Sequence, residues 1–279
     1  RKSYFLHLRT YGILWIIGLA VVQVAGKTMT DGIENTIRSE RIEEQNANLK
    51  QVDEMKNRLI SIASHELRTP LVSIKGYTEL IRSGRAGEVP PKIDNLLQIV
   101  ERNTNYLDRI TGELLDQQRL EEGRLQITLE PQNINDIIGD VVAETEPLVS
   151  AKNQIFTVDS LKVLTVDCDR MRIAQVLLNL LSNASKFTSE GGTISLFARE
   201  DGEFIKISIS DSGIGISEED IGKLFTPFPE INHGLSVTSI GLGLSICKGI
   251  VELHGGEIWA ESEGESKGTT LIFRIPKHQ

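Results

Sequence analysis

Cysteine is almost missing from this 279-residue sequence: Cys168 and Cys247 stand alone, with no Cys-x-x-Cys spacing. That excludes a disulfide framework and a cysteine-ligated zinc site, and the pair reads as two small buried hydrophobes. The five histidines are scattered, so no metal cluster stands out. Positive charge is in deficit too, because 30 Lys and Arg against 39 Asp and Glu leave a net charge of -9. An acidic chain lacks the electrostatic footprint of a nucleic-acid binder, which argues against nucleic acid as a main ligand. Long apolar runs are lacking as well. The uncharged stretch Tyr11 to Gly26 falls short of the ~20 residues of a full membrane span. Tyr11 and Trp15 suit an interfacial aromatic belt. Arg1, Lys2 and Arg9 would sit on the wrong side for the positive-inside tendency if the rest of the chain is cytoplasmic. For residues 1–30 a short membrane helix and a buried or amphipathic soluble helix both stay open. The sequence opens on Arg1 rather than Met, as expected of a piece of a longer chain.

What is present is 39% hydrophobic and 25% charged, an ordinary globular composition with room for roughly two domains of about 100–150 residues. No proline occurs before Pro70, and Glu, Gln, Lys, Arg and Leu dominate from Asp31 to Ser83, which predicts one long helix. Leu49, Val52, Leu59 and Ile62 fall at coiled-coil spacing. Met55 interrupts the strict heptad as a local stutter. No equally long helical partner exists in the chain, so residues 31–60 are expected to pair with a second copy in a parallel homodimer. Gly84 to Pro91 is turn chemistry, and a second amphipathic helix is expected from Lys92 to Leu120. Two such helices from each of two chains make a four-helix bundle over residues 61–122.

Gly123 marks a boundary. Beyond it, strands are expected at Leu125–Leu129, Ile155–Val158, Val163–Val166, Thr193–Arg199, Ile205–Ser210, Glu257–Ser262 and Thr269–Ile275. Helices are expected near Ile134–Ser150, Arg170–Phe187 (with Asp169 as its N-cap) and Leu242–Leu253. The expected fold class is therefore multi-domain: an all-α hairpin that forms a four-helix bundle in the dimer, then an α/β sandwich with one mixed sheet over residues 123–279.

Several clusters can carry chemistry. His65 lies in Ser64-His-Glu-Leu-Arg-Thr-Pro-Leu71, next to charged Glu66 and Arg68, on a face expected to be exposed. Neutral imidazole offers a nucleophilic ring nitrogen, and Glu66 can hold the proton on the other nitrogen. Pro70 removes a backbone donor and should kink or loosen the helix one turn beyond. Asn179 and Asn183 share one helix face with Lys186 three residues on. Amide oxygens are hard ligands suited to Mg²⁺, and the ammonium can meet phosphate charge. Asp211 ends an apolar run ahead of Gly213 and Gly215. Gly241-Leu-Gly243 opens an apolar helix, where backbone amides can take phosphate oxygens.

The ordered set resembles the sensor histidine kinases of two-component systems. His65-Glu-Leu-Arg-Thr-Pro-Leu71 looks like their phosphoacceptor box, and Asn179-Leu-Leu-Ser-Asn-Ala-Ser-Lys-Phe-Thr188 like the Asn-rich block. Asp211-Ser-Gly-Ile-Gly-Ile216, Leu224-Phe-Thr-Pro-Phe228, Gly241-Leu-Gly-Leu244 and Gly268-Thr-Thr270 look like the Gly, Phe and final blocks. The resemblance implies ATP and Mg²⁺ as cofactors, with Asn183 as metal ligand, supported by Asn179. It implies that Asp211 accepts from the adenine amino group, and that Lys186, Gly213, Gly215, Ile216, Phe225, Gly241, Leu242, Gly243, Leu244 and Thr270 line the nucleotide site. It implies transfer of the γ-phosphoryl group to His65 and then to an Asp of a response-regulator receiver domain, with a hinge near Glu121–Gly123. Thr69 is implied to orient a water that dephosphorylates the regulator. The run 11–26 would then be the last membrane helix, anchoring a cytoplasmic catalytic region at the inner face of the cell membrane.

Two departures stand out. No Lys or Arg occurs from Phe225 to Ile240, and Pro229 and Glu230 stand where an aromatic and a basic residue are common. Ser239 replaces a glycine that often opens the second Gly block. His233 and Lys186 are the residues left to compensate. The rival readings are a catalytically weak, dimeric nucleotide-binding scaffold and an ATPase of the wider gyrase, chaperone and mismatch-repair class. The phosphoacceptor box weighs against the second.

Overall fold

The structure, a computed structural model, describes residues 66–160, 164–229 and 241–278, together with positions 18, 27, 41, 42, 45, 50, 52, 55, 60 and 62–64. The chain divides into two units, residues 1–59 and residues 60–279. In the first, every described position is helical and exposed, including Ile42, Val52 and Met55 of the expected seam. Leu49, Leu59 and nearly all of the 11–26 run lie outside the described residues. Among the described residues no helix is long and apolar enough to cross a membrane.

The second unit opens with a helical hairpin. Helix α1 (described from 66 to 82) continues through Pro70. Proline at that position withdraws one backbone donor, and the remaining turns hold the helix. Residues 83–89 turn the chain, with Gly84 and Gly87 at positive φ, and helix α2 (Pro91–Glu121) starts with proline in its first turn, where no amide is needed. Arg82 bonds both Asp94 (2.9 Å) and Glu101 across the turn, and its guanidinium holds the Asp94 carboxyl below the usual range. The hairpin buries few apolar side chains of its own. Leu71 is buried with Thr78 and Thr104, while Leu67, Val72, Tyr77, Leu96 and Leu107 are exposed. Two helices with that much uncovered apolar surface need a partner.

The remainder is an α/β sandwich. Strand β1 (Glu130–Asn133) pairs antiparallel with β3 (Thr165–Cys168) in a small two-stranded sheet. Between them lie α3 (Ile134–Ala151) and β2 (Ile155–Ser160). Helix α4 (Arg170–Phe187), β4 (Thr193–Asp201), β5 (Phe204–Asp211), a one-turn α5 (Glu218–Ile221), α6 (Gly243–Leu253), β6 (Glu257–Glu261) and β7 (Thr269–Pro276) follow. The main sheet runs β2-β4-β5-β7-β6, parallel between β2 and β4 and antiparallel elsewhere. One sheet face is covered by α3, α4 and α6. Ile205, Ile207 and Ile209 of β5 alternate onto that face and are fully buried, as are Ile173, Val176, Leu177, Leu180 and Leu181 of α4.

Three expectations need correction. Residues 124–129 do not form a strand. The Arg119 carbonyl takes the amides of both Arg124 (2.7 Å) and Leu125 (3.1 Å), with Gly123 at φ +64°. This wraps the chain around the end of α2 in a left-handed cap, and Leu125 plugs into the core. The strand expected at 163–166 lies at Thr165–Cys168, and α5 was not expected at all. The two cysteines behave as read: both are fully buried, and burial pushes their thiols up to about 12.

His254, fully buried at the end of α6, ties that helix to α4. Its Nε2 accepts from the Asp169 amide at 3.0 Å, and its Nδ1–H donates to the Ile250 carbonyl at 2.7 Å. Burial pushes its pKa below the ordinary imidazole value. A depressed folded pKa means that stability is full above the unfolded value and falls as pH drops below it, since the unfolded chain then takes the proton first. The melting temperature of the wild type should therefore fall from pH 7.5 to pH 5.5 more steeply than that of His254→Gln, measured by calorimetry at both values. Parallel slopes would remove His254 from the account.

Candidate functional site

Helix α4 is the strut of the site. Asp169 caps its start by accepting from the Arg172 amide at 3.1 Å. Its other end is clamped by side chains from the turn after α3. Lys152 Nζ donates to the carbonyls of Ser185 (2.7 Å) and Lys186 (3.1 Å), and Gln154 Nε2 donates to those of Ser185 (2.9 Å) and Thr188 (2.8 Å). A cation on the last carbonyls also suits the helix dipole. Asn179, Asn183 and Lys186 therefore sit on a turn that is held rather than frayed. Asn183 and Lys186 are half-buried. Asn179 Nδ2 donates to the Gly243 carbonyl at 3.1 Å, and a Cβ on Gly243 would meet the Asn179 amide oxygen at 2.8 Å. The first turn of α6 can approach α4 only because residue 243 is glycine.

The Asp211 side is built from two interlocked loops. Asp211, the last residue of β5, accepts from the Gly213 amide at 2.8 Å. Burial pushes its carboxyl above the usual range, while the amides of Gly213 and Thr269 pull it back. The Phe187 carbonyl at the end of α4 takes the Ile214 amide at 3.3 Å, and a Cβ on Gly213 would lie 2.5 Å from that same oxygen. Gly215 and Gly268, both at positive φ, pass so close to Gly264 and Asp211 that a Cβ on either would sit 2.0 Å from a carbonyl oxygen. Ser262 Oγ accepts from the Ile216 amide at 3.0 Å and donates to the Gly268 carbonyl at 2.7 Å. The result is a half-buried carboxylate held by backbone amides, on a loop bonded to a helix that carries two side-chain amides and one ammonium.

The sequence-derived residues separate into groups. Asn179, Asn183 and Lys186 lie on α4, which bonds the loop of Asp211, Gly213, Gly215 and Ile216 through the Phe187 carbonyl and the start of α6 through Asn179. Gly241, at φ +78°, gives its carbonyl to the Phe228 amide at 3.2 Å, and Gly243 begins α6 behind a buried Leu242. Phe225 and Leu244 pack against the core. Glu66 and Thr69 are exposed on α1. His65, Glu230, His233 and Ser239 lie outside the described residues. The Thr270 hydroxyl lies 2.6 Å from that of Ser210 on the sheet face away from the helices. The residue of that block at the carboxylate is Thr269, paired with Asp211 across β5 and β7 and sharing the parity of buried Leu271 and Phe273. Strand parity alone could have shown this, because a one-residue shift changes sheet face. Lys152, Gln154 and Ser262 carried no local signal. Among the described residues no cluster of three or more His, Cys, Asp or Glu could cage a metal.

Two family models match the chain in order: a His Kinase A (phospho-acceptor) domain over residues 55–123, and a histidine kinase-, DNA gyrase B- and HSP90-like ATPase over residues 168–279. The chain belongs to the sensor histidine kinase family. An uncharacterised sensor-like histidine kinase of Rhizobium meliloti is 32% identical over 238 residues, 82% of this chain and 44% of that protein. The sensor histidine kinase WalK of Bacillus subtilis is 32% identical over 233 residues, 81% of this chain and 38% of WalK. The sensor protein SrrB of Staphylococcus aureus reaches 36% over 230 residues, 81% and 39%. The chain thus spans less than half the length of these relatives. Among solved structures, histidine kinase ThkA in complex with response regulator protein TrrA matches at TM-score 0.52 and 30% identity, over 79% of this chain and 61% of that one. Full-length ShkA in complex with AMPPNP shares the fold at TM-score 0.65 and 24% identity, over 78% and 45%.

The two threonines of the last block give a direct test of the site. Thr269→Val keeps the amide that faces Asp211 but removes the hydroxyl, and should weaken ATP binding by about fivefold, the worth of one hydrogen bond of ~1 kcal/mol to the nucleotide. Thr270→Val should leave binding unchanged and lower the melting temperature slightly. Isothermal titration of both variants decides, and the reverse pattern would put the pocket on the other side of the sheet.

Proposed function

We propose that this kinase binds ATP beside Asp211 and transfers its γ-phosphoryl group to His65, and that phosphohistidine then donates to an aspartate of a response-regulator receiver domain. What supports the reading is that the Asp211 loop and the Asn183–Lys186 turn are joined by the bond from the Ile214 amide to the Phe187 carbonyl, in a chain that also holds His65-Glu-Leu-Arg-Thr-Pro-Leu71. The Asp211 carboxylate accepts from the adenine amino group, and the pinched glycine loops hold that carboxylate in place. The donor set at the phosphate end, an amide oxygen on Asn183 without a carboxylate cage, fits Mg²⁺, which keeps waters and shares phosphate oxygens. Bound there, Mg²⁺ would supply neutralisation of phosphate charge. Lys186 and the amides at the start of α6 face the same charge.

In the transfer, a ring nitrogen of His65 forms the P–N bond as the bond from the γ-phosphorus to the β,γ-bridging oxygen breaks, and ADP leaves. Glu66 holds the proton on the other ring nitrogen. The P–N bond then breaks as a receiver carboxylate takes the phosphoryl group. Positioning and charge neutralisation do most of the work in such a loose transition state. Thr69, four residues beyond His65, orients a water for dephosphorylation of the regulator. The exposed apolar faces of α1 and α2 make the catalytic form a homodimer. The catalytic region is cytoplasmic, anchored at the inner face of the membrane through residues 1–30 of a longer protein. A second reading, a catalytically weak nucleotide-binding scaffold, draws on the absence of Lys and Arg between Phe225 and Ile240.

Incubation with γ-labelled ATP separates the readings. Label stable in base and lost in acid is expected on the wild type, absent from His65→Ala with nucleotide affinity retained, and absent from Asn183→Ala with Mg²⁺-dependent affinity lost. A wild type that binds ATP but takes no label is the scaffold. Thr69→Ala should slow regulator dephosphorylation at least tenfold more than autophosphorylation, and equal losses would indicate a damaged helix.

A further inference from the structure

Helix α4 presents Arg172, Gln175, Asn179, Asn183 and Lys186 three or four residues apart, hence along one face. That face meets α2. Arg172 Nη1 donates to Asp116 Oδ2 at 2.8 Å, and Gln175 Nε2 donates to the same oxygen at 2.9 Å. Both members of the ion pair are largely shielded, at 22% and 14% exposure. One turn of α2 further on, the contact passes to α6. Ser245 Oγ lies 2.9 Å from Gln117 Oε1, and Leu120 lies so close over Gly249 that a Cβ there would be 2.6 Å from its methyl carbon. One turn back, Glu113 is 9% exposed and takes Arg109 at 2.8 Å. The Lys186 ammonium feels both. Burial and Arg109 push its pKa down, and Glu113 pushes it up.

We propose that α2 and the triphosphate of ATP compete for this face of α4, so that nucleotide binding loosens a latch formed by Asp116, Gln117 and Leu120. The proposal rests on reading Asn183 and Lys186 as the phosphate end of the site. Phosphate oxygens carry more negative charge than Glu113 and draw Lys186 toward themselves, while Glu113 and Asp116 repel them. The latch is small and mostly polar, one shielded ion pair, two amides and one leucine, which is the kind of contact between domains that opens and closes. Removing one member of the ion pair leaves the other shielded and unpaired, so a single reversal should open the latch and a double reversal should close it. Coupling is reciprocal: the factor by which ATP loosens the latch is the factor by which the latch weakens ATP.

The test uses the full 279-residue chain and two readouts, ATP·Mg²⁺ affinity by calorimetry and the rate of tryptic cleavage after exposed Arg119 and Arg124 at the end of α2. Asp116→Arg and Arg172→Asp should each tighten ATP by about fivefold and speed cleavage by a similar factor, and the double variant should restore both. Gly249→Ala, which wedges Leu120 away without changing charge, should act like the single reversals if either of those fails to fold. In the wild type, saturating ATP·Mg²⁺ should speed cleavage and adenosine, which lacks phosphates, should not. Faster cleavage with unchanged ATP affinity in the variants, or protection of the wild type by ATP, overturns the proposal. Neither readout needs phosphohistidine, so a chain that binds ATP without labelling His65 defeats the catalytic reading and leaves the latch standing. Failure of all four chains to bind ATP removes both.

Discussion

The last turn of α4 is the constraint from which the site follows. A helix leaves its final carbonyls without partners, and those of Ser185, Lys186 and Thr188 would fray into solvent if nothing met them. Lys152 and Gln154 meet them from the turn between α3 and β2. The position of Asn183 and Lys186 is thus set by the packing of α3 on α4. The Phe187 carbonyl continues the chain of dependence by taking the Ile214 amide, which fixes the loop that carries Asp211's glycines. Side-chain chemistry at the pocket is therefore inherited from backbone bonds behind it.

The glycine loops answer to a different constraint, the distance between two backbones. Gly215 against Gly264 and Gly268 against Asp211 leave no room for a methyl group. With Ser262 bridging Ile216 and Gly268, the loops after β5 and before β7 behave as one layer. That layer lets Asp211 stay half-buried with its carboxylate held by amides. A free carboxylate in the same surroundings would be costlier to keep charged.

Local signals made much of this legible. Asp169 as N-cap and a strict apolar face marked α4 from Arg170 to Phe187, and the structure has those bounds. Alternating isoleucines marked β5. The order of the motif blocks carried the family. Failures came where tertiary bonds overrule local pattern. Leu125–Leu129 has strand-like alternation, but the Arg119 carbonyl captures two successive amides and bends it around the helix end. The Gly268-Thr-Thr270 motif records identity and not sheet parity, so it does not tell Thr269, paired with Asp211, from Thr270, paired with Ser210. The Asp116 contacts were invisible for a plain reason: Arg172 and Gln175 are separated from Asp116 by 56 and 59 positions, and nothing in either helix names the other.

Leu125 gives the connection between the helical hairpin and the ATP-binding domain a length. It is buried in the domain's core, only two residues beyond the Gly123 cap of α2. While it stays there, the free tether is at most about 7 Å of extended chain. The domain can pivot on such a leash but cannot travel. A larger excursion has to draw the leucine out, at a cost of roughly 1.5–3 kcal/mol, and that lengthens the leash toward Glu130, where β1 begins. One aliphatic side chain therefore sets how much chain lies free between α2 and the domain's core.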